Sequence, residues 1–255
     1  MRICVLASGS KGNCTYVETA NHKILIDIGK NKKYIDNKLA EIGVNPCEID
    51  YILISHLHDD HISALSTFIK KYHSTVCLSS PMFMELTNIK DYNNILIYED
   101  EIILNGVKIK ALKSSHDSID SRNFVIEEGE KSVVYVTDTG YVNNKYFRCL
   151  KNKNVYLFES NHDIEMLNHG PYPKWLKTRV LSDIGHLSNK LASFYLAKLV
   201  GDNTKKILLM HLSEVNNTEE KSLETIHQTF KDYEVDFNDI KCAKQEEISE
   251  VINLW

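Results

Sequence analysis

The sequence predicts an α+β or α/β fold built on two sheets. Three observations lead there. Short apolar, β-branched runs recur along the whole chain. Helical patterns fall between only some of them, so the strands come in meanders as well as crossovers. No Gly/Ser-rich or Pro-rich linker and no internal repeat divides the 255 residues, which contain only four prolines.

Taken in order, residues 3–6 form a first strand. The opening residues are too short and polar-flanked for a signal peptide. Strands follow at 24–28 and 51–54, each bounded by polar or glycine residues. Between and after them, 33–42, 62–72 and 81–86 have the apolar spacing of amphipathic helices. Further strands are expected at 95–98, 107–112, 124–126, 133–136, 155–158 and 207–210. Residues 187–200 form a helix with apolar Leu187, Leu191, Phe194, Tyr195 and Leu196, capped by Ser188 or Ser182. A helix at 219–231 and a terminal strand within 246–255 complete the chain.

Composition excludes several classes. Apolar residues make up 43% and charged residues 25%, so disorder is excluded as the main state. No apolar run approaches the ~20 residues of a membrane helix, and no membrane partner is expected. The six cysteines form no C-x-x-C pair, which favours reduced thiols and a cytoplasmic location. A net charge of -5 argues against coating nucleic acid through bulk charge. It leaves room for a nuclease, whose bound ions carry positive charge themselves.

The densest chemistry is Ser55-His56-Leu57-His58-Asp59-Asp60-His61, directly after the strand at 51–54. Extended geometry puts His56 and His58 on one face, where both can point at one ion. Asp60 and His61 enter the turn that follows and can reach a second. Imidazole and carboxylate suit zinc or manganese. His116, Asp138 and His211 each sit near the end of a strand. Any one of them alone would be an ordinary loop residue. Their shared placement is where open sheets gather a site.

This set resembles the metal site of the metallo-β-lactamase superfamily. Asp27, in Leu25-Ile26-Asp27-Ile28-Gly29, is similar to its early strand-end aspartate. The resemblance implies a four-layer αββα sandwich, one domain over residues 1–255, and two divalent ions, zinc or manganese. It implies that His56, His58 and His116 hold one ion and Asp60, His61 and His211 the other. Asp138 would bridge them, with Asp27 supporting the ligands from behind. Within the superfamily, Ala7-Ser8-Gly9-Ser10-Lys11-Gly12-Asn13-Cys14 resembles the opening of the YycJ/WalJ-type hydrolases. Glu159-Ser160-Asn161-His162-Asp163, Gly170-Pro171-Tyr172-Pro173 and Gly185-His186-Leu187-Ser188-Asn189 point the same way. That resemblance implies a 5′→3′ DNA exonuclease that uses a metal-activated water.

For such chemistry Asp60 would orient the water as well as ligate. His186 would supply a proton or bind phosphate, oriented by Glu159. A helix-cap His186 and an ion-paired Glu159 are the competing reading. Ser10, Lys11, Gly12 and Asn13 form a small loop suited to backbone contact with phosphate. Lys174, Lys177 and Arg179, like Lys30, Lys32 and Lys33, could follow a nucleic-acid backbone or simply face solvent. Tyr172 and Trp175 could stack on a base or pack in the core. His162, Asp163 and His169 shape the same stretch without being ligands.

Four rivals are weighed. An RNA-processing enzyme of the tRNase Z or β-CASP type is disfavoured, because the stretch from Asp138 to His211 is too short for a β-CASP insertion and no Gly/Pro-rich arm appears. A glyoxalase II-like thioesterase shares the histidine core, but Ile62-Ser63-Ala64-Leu65 stands where a glycine pair is usual. A small cyclic-phosphodiester hydrolase shares the Gly-Ser loop but would not need the basic groups. A non-catalytic regulatory metal-binding module would tolerate lost ligands, whereas every ligand position here is filled.

Overall fold

The computed structural model describes residues 1–255. The chain divides into two compact units. The first comprises residues 1–111, 118–122 and 244–255, and the second 112–117 and 123–243.

In the first unit, strands β1 (Arg2–Ala7), β2 (Cys14–Glu18), β3 (Lys23–Ile26), β4 (Tyr51–Leu53), β5 (Thr75–Ser79) and β6 (Ile95–Tyr98) lie side by side in sequence order. The first three pair antiparallel, and β3 to β6 pair parallel. Helices α1 (Lys32–Glu41), α2 (Asp59–Ile62), α3 (Leu65–Tyr72) and α4 (Ser80–Glu85) occur in the crossovers. Leu6, Tyr16, Leu25 and Ile52 of the sheet pack with Ile35, Leu39, Phe68 and Met82 of the helices in one core. Ile3, Val5, Ile24 and Leu53 alternate with them and are equally buried, so both faces of these strands are dry. That explains their unbroken apolar sequence. A hairpin of β7 (Glu101–Leu104) and β8 (Val107–Lys113) pairs Leu104 with Val107.

The second unit is built on β9 (Arg122–Glu128), β10 (Lys131–Val136), β11 (Val155–Glu159), β12 (Lys206–Met210) and β13 (Ile240–Cys242), adjacent in that order. Apart from the β9–β10 hairpin the pairing is parallel. The unit's helices are α5 (Phe147–Leu150), α6 (Ile164–His169), α7 (Lys174–Val180), α8 (Asn189–Leu199) and α9 (Glu219–Asp232). Leu196, Leu199, Ile226 and Phe230 of α8 and α9 pack on Val134, Phe158, Ile207 and Leu209 of the sheet. The terminal strand β14 (Ile252–Asn253) pairs with β1 in the first unit and is shorter than the sequence suggests.

Two expectations change in detail. The helix expected at 62–72 is broken, because Ser63 and Ala64 are drawn off it. Ser63 Oγ donates to the Gly29 carbonyl at 2.6 Å, and the Ala64 amide to the Ile28 carbonyl at 3.0 Å. The strand expected at 24–28 ends at Ile26, because Asp27 turns into the left-handed region at φ 59°. Of the two caps considered for α8, Ser188 serves, its hydroxyl accepting from the Leu191 amide.

Candidate metal centre

Each unit assembles its own cluster of metal-ligating side chains. Each cluster stands where buried strands stop. Asp27 follows β3, Asp138 follows β10 and His211 follows β12, and all three have left-handed backbone, with φ of 59°, 49° and 56°. That conformation costs about 1–3 kcal/mol at a non-glycine residue and persists only where the surroundings enforce it. Here it ends the strand and swings a polar side chain sideways at the sheet's edge.

In the first unit the loop after β4 wraps around Asp27. The Asp27 carboxylate accepts from the Ser55 amide at 2.8 Å and the Ser55 hydroxyl at 2.7 Å. It also accepts from His61 Nδ1 at 2.8 Å. A carboxylate accepts only, so His61 carries its proton on Nδ1 and a lone pair on Nε2. The Ser55 oxygen lies 3.0 Å from His56 Nδ1. Its own proton is spent on Asp27, so it accepts there and His56 too keeps its lone pair on Nε2. The His56 ring lies 3.9 Å from that of His61 and 4.8 Å from that of half-buried His58, centroid to centroid. Asp60 Oδ2 is 3.6 Å from His61 Nε2.

Asn13 is fully buried among these groups. Its side-chain amide lies 2.9 Å from His61 Nε2 and 3.3 Å from Asp60 Oδ2. It thus meets the two atoms that a cation would share. Gly12 brings this loop against Gly29, and Gly29 itself has no room for a side chain. A Cβ there would stand 1.6 Å from the Asp60 carbonyl oxygen. Ser10 and Lys11 stay exposed and line an open cleft of about 470 Å³ that reaches Asp59 and Asp60. Lys30 points into the same cleft and is paired with Glu246.

In the second unit Asp138 is the hub. Its Oδ1 lies 3.6 Å from His186 Nδ1, 3.7 Å from His211 Nε2 and 3.8 Å from His116 Nε2. Its Oδ2 accepts from the Thr137 hydroxyl at 2.8 Å. His116 Nδ1 donates to the Gly185 carbonyl at 3.2 Å, which leaves the lone pair on Nε2. Burial pushes His116 below the usual imidazole range, against the pull of Asp138, and so favours the neutral ring that a metal needs.

Fully buried Glu159 organises the rest. It accepts from His186 Nδ1 at 2.8 Å and His211 Nδ1 at 3.1 Å. It also accepts from the amides of Thr139 and Leu187. Burial alone would raise its carboxyl; the two imidazoles outweigh burial and hold it well below the usual carboxylate range. Asp138, Glu159, His186 and His211 bring ligand atoms within 4.8 Å of one another.

Other predicted residues stand further out. Lys174 is exposed, and Lys177 Nζ donates to the Asn168 carbonyl. Arg179 grips Asp117 with two bonds of 2.5 and 2.9 Å, and Asp117 in turn lies 3.5 Å from His116 Nε2. Trp175 is 68% exposed, which removes the core reading for that ring. The sequence reading missed three roles: Ser55 tying Asp27 to two histidines, Asn13 on His61, and Glu159 holding His211 as well as His186. The left-handed residues carried no sequence signal beyond their place after an apolar run.

A family model described as the metallo-β-lactamase superfamily matches residues 7–94. The exodeoxyribonuclease WalJ of Streptococcus pneumoniae is 37% identical over 223 residues, covering 85% of this chain and 83% of that protein. The exodeoxyribonuclease YycJ of Bacillus anthracis is 33% identical over 239 residues, covering 91% and 90%. Among solved structures, the metallo-β-lactamase fold protein YhfI of Bacillus subtilis matches with a TM-score of 0.70 at 16% identity, covering 98% of this chain and 99% of that one. That likeness shows the fold, of the αββα class that the sequence predicts. The chain belongs to the metallo-β-lactamase superfamily and is a hydrolase of that superfamily. Within it, the chain falls in the family of the WalJ- and YycJ-type proteins.

That superfamily implies divalent metal ions, and the donors fit. Four imidazoles, of His56, His61, His116 and His211, are each held through Nδ1, which turns Nε2 into the donor atom; at His61 the Asn13 amide meets that atom. Fixing one ring nitrogen to free the other is the usual support of a histidine metal ligand.

Proposed function

We propose that this hydrolase is a metal-dependent nuclease, a dinuclear 5′→3′ exonuclease acting on DNA, with residues 1–255 as its single domain. The observation that carries the reading is the set of four imidazoles locked through Nδ1 beside Asp60 and Asp138. The relatives named exodeoxyribonucleases support the substrate. His56, His58 and His116 would hold one ion, and Asp60, His61 and His211 the other, with Asp138 shared. Zinc and manganese both suit this donor set. The six free thiols are in keeping with a reducing compartment such as the cytoplasm. No helix is long and apolar enough to cross a membrane.

When bound, the ions would supply positive charge for the phosphoryl oxygens and lower the pKa of an attacking water. The chain's own residues do the rest. Asp60 accepts a hydrogen bond from that water and so aims it. His186 hands a proton to the leaving oxygen, and its ring is kept in one orientation by the Nδ1 bond to Glu159. The lowered carboxyl of Glu159 favours the charged form that steadies His186. Ser10, Lys11, Gly12, Lys174, Lys177 and Arg179 offer contacts to the strand. Asn13, which the sequence suggested for the same task, meets the ligand atoms His61 Nε2 and Asp60 Oδ2 themselves.

The test is degradation of a 5′-phosphorylated linear duplex by manganese-loaded protein, with Asp60→Asn beside it. Progressive loss of the labelled 5′ end, reduced at least 100-fold in the variant, is expected. No loss with either manganese or zinc would overturn the exonuclease reading and turn attention to cyclic phosphodiesters and thioesters.

A further inference from the structure

The loops that carry His116 and Asp138 are sewn together within the second unit. Ser114 Oγ donates to the Asp138 carbonyl at 2.7 Å, and the Gly140 amide to the Ser115 carbonyl at 2.9 Å. The Ser115 amide donates to Thr139 Oγ1, which passes its own proton to the Tyr141 carbonyl. Beside this seam lies a small pocket of about 120 Å³. Lys113, Ser114, Ser115, Asn143 and Lys145 line it together with Tyr141 and Tyr146.

Three features fix what the pocket can take. The first is charge. None of the lining residues is acidic, although Asp and Glu outnumber Lys and Arg by 35 to 30 in the chain. Two exposed lysines stand at its mouth. The second is order. The Tyr146 hydroxyl accepts from the Lys113 amide at 3.1 Å, and the Tyr146 ring lies 4.8 Å from Lys145 Nζ. Asn143 Oδ1 accepts from the Lys145 amide, so both lysine-bearing segments are held in place. The third is size. At roughly 30 Å³ per water the pocket holds the equivalent of about four waters. Pockets for whole small molecules run to roughly 300–1,000 Å³. The space is of a size to seat one tetrahedral oxyanion.

We propose that this pocket binds a phosphate group of the nucleic-acid strand other than the one being cut, an inference that rests on the nuclease reading above. Lys113 and Lys145 supply the charge. The Ser115 and Tyr141 hydroxyls and the Asn143 amide supply neutral donors. Ser115 directly precedes His116, and Gly140 and Tyr141 follow Asp138 closely. A phosphate seated here therefore sets the strand's register on the two loops that carry those ligands. Such contacts position a strand without reading its sequence.

Two measurements test this. Inorganic phosphate is titrated into the metal-free protein while the amide resonances of Ser115 and Asn143 are followed. Their shifts should saturate, and Lys113→Ala/Lys145→Ala should weaken the apparent Kd ten-fold or more. A Kd unchanged in the variant overturns the proposal. Binding of a 5′-phosphorylated single strand is then measured across a salt series in the cleavage-impaired Asp60→Asn background. Losing one phosphate contact should flatten the slope of log K against log salt by about 0.7. Lys113→Arg/Lys145→Arg should restore the slope, and Lys145→Ala alone serves if the double variant does not fold. A strand with a 5′-hydroxyl identifies the occupant. If it already shows the flattened slope, the terminal phosphate fills the pocket; if not, an internal one does. A slope and cleavage rate unchanged in the double variant overturn the proposal and leave the nuclease reading standing. Wild-type protein that neither binds nor cuts DNA overturns the nuclease reading and this occupant with it.

Discussion

Glu159 shows how much one buried side chain can organise. Its two oxygens satisfy two imidazoles and two backbone amides, and it has no exposure to water. A carboxylate can accept all four bonds, whereas a glutamine must present an NH₂ to some of these donors. Glu159→Gln should therefore loosen His211 and His186 together. Loss of a partner behind a metal ligand typically costs 10–100-fold in metal affinity or activity. We expect that range for manganese affinity, measured by titration, with a matching fall in DNA cleavage. Unchanged metal affinity would show that His211 is held by other contacts. The sequence identified Glu159 as a partner for His186, because both lie in motifs that resemble the family. The bond to His211 could not be read, since it joins positions 52 residues apart at the ends of neighbouring strands.

At the scale of elements, the site depends on loops that pass very close to one another. Asn13, Gly29 and Asp60 come from three separate turns and share backbone bonds. The Asn13 amide donates to the Asp60 carbonyl and the Gly29 amide to the Asn13 carbonyl, both at 2.8 Å. Gly29 is required here for space, because any Cβ would collide with the Asp60 carbonyl. Gly43, at the end of α1, has φ +73° but nothing within 4 Å of a built Cβ. The two glycines separate the two costs. Gly43→Ala should lose only about 1–2 kcal/mol, the cost of a left-handed L-residue. Gly29→Ala should lose more in stability and also displace Asp60 and His61. Thermal unfolding with and without manganese checks this. The Gly29 variant should lose most of the metal-induced rise in Tm, and the Gly43 variant should keep it. The sequence showed Gly29 in a family-like motif. What the glycine avoids became visible only when the loop at residue 60 was folded over it.

For the whole molecule, buried imidazoles set the response to acid. His162 is 1% exposed and neither ring nitrogen has a hydrogen-bond partner. Burial pushes it down to about 4. The unfolded chain takes up that proton near pH 6.5, and the folded chain only near 4. The unfolded state thus binds more protons in between, so stability falls as pH drops from about 6.5 to 4 and levels off below. The gap corresponds to roughly 3 kcal/mol. The lowered His116 adds to the fall in the same direction. Denaturant unfolding of metal-free protein at pH 7 and pH 4.5 checks it. His162→Phe should remove a large part of the difference, and an equal pH dependence in that variant would contradict the assignment.

The sequence by itself determined the class of fold, the strand-end placement of the histidines and aspartates, and the family. Those signals are local. They are apolar runs, residue types at fixed spacing, and motifs such as His56-x-His58-x-Asp60-His61 that fit in one turn of chain. The breaks at Ile26 and at Ser63–Ala64, the strands β2, β5 and β7, and the short helices α6 and α7 were not legible. These elements are short, and their residues do not form clean periodic runs. Tertiary structure alone decided which nitrogen of each histidine is held and which is left to donate. It also placed Asn13 on His61 Nε2 and brought Lys113 and Lys145 to one pocket. A hydrogen bond depends on position to within tenths of an ångström, and that precision comes from packing, which no spacing along the chain encodes.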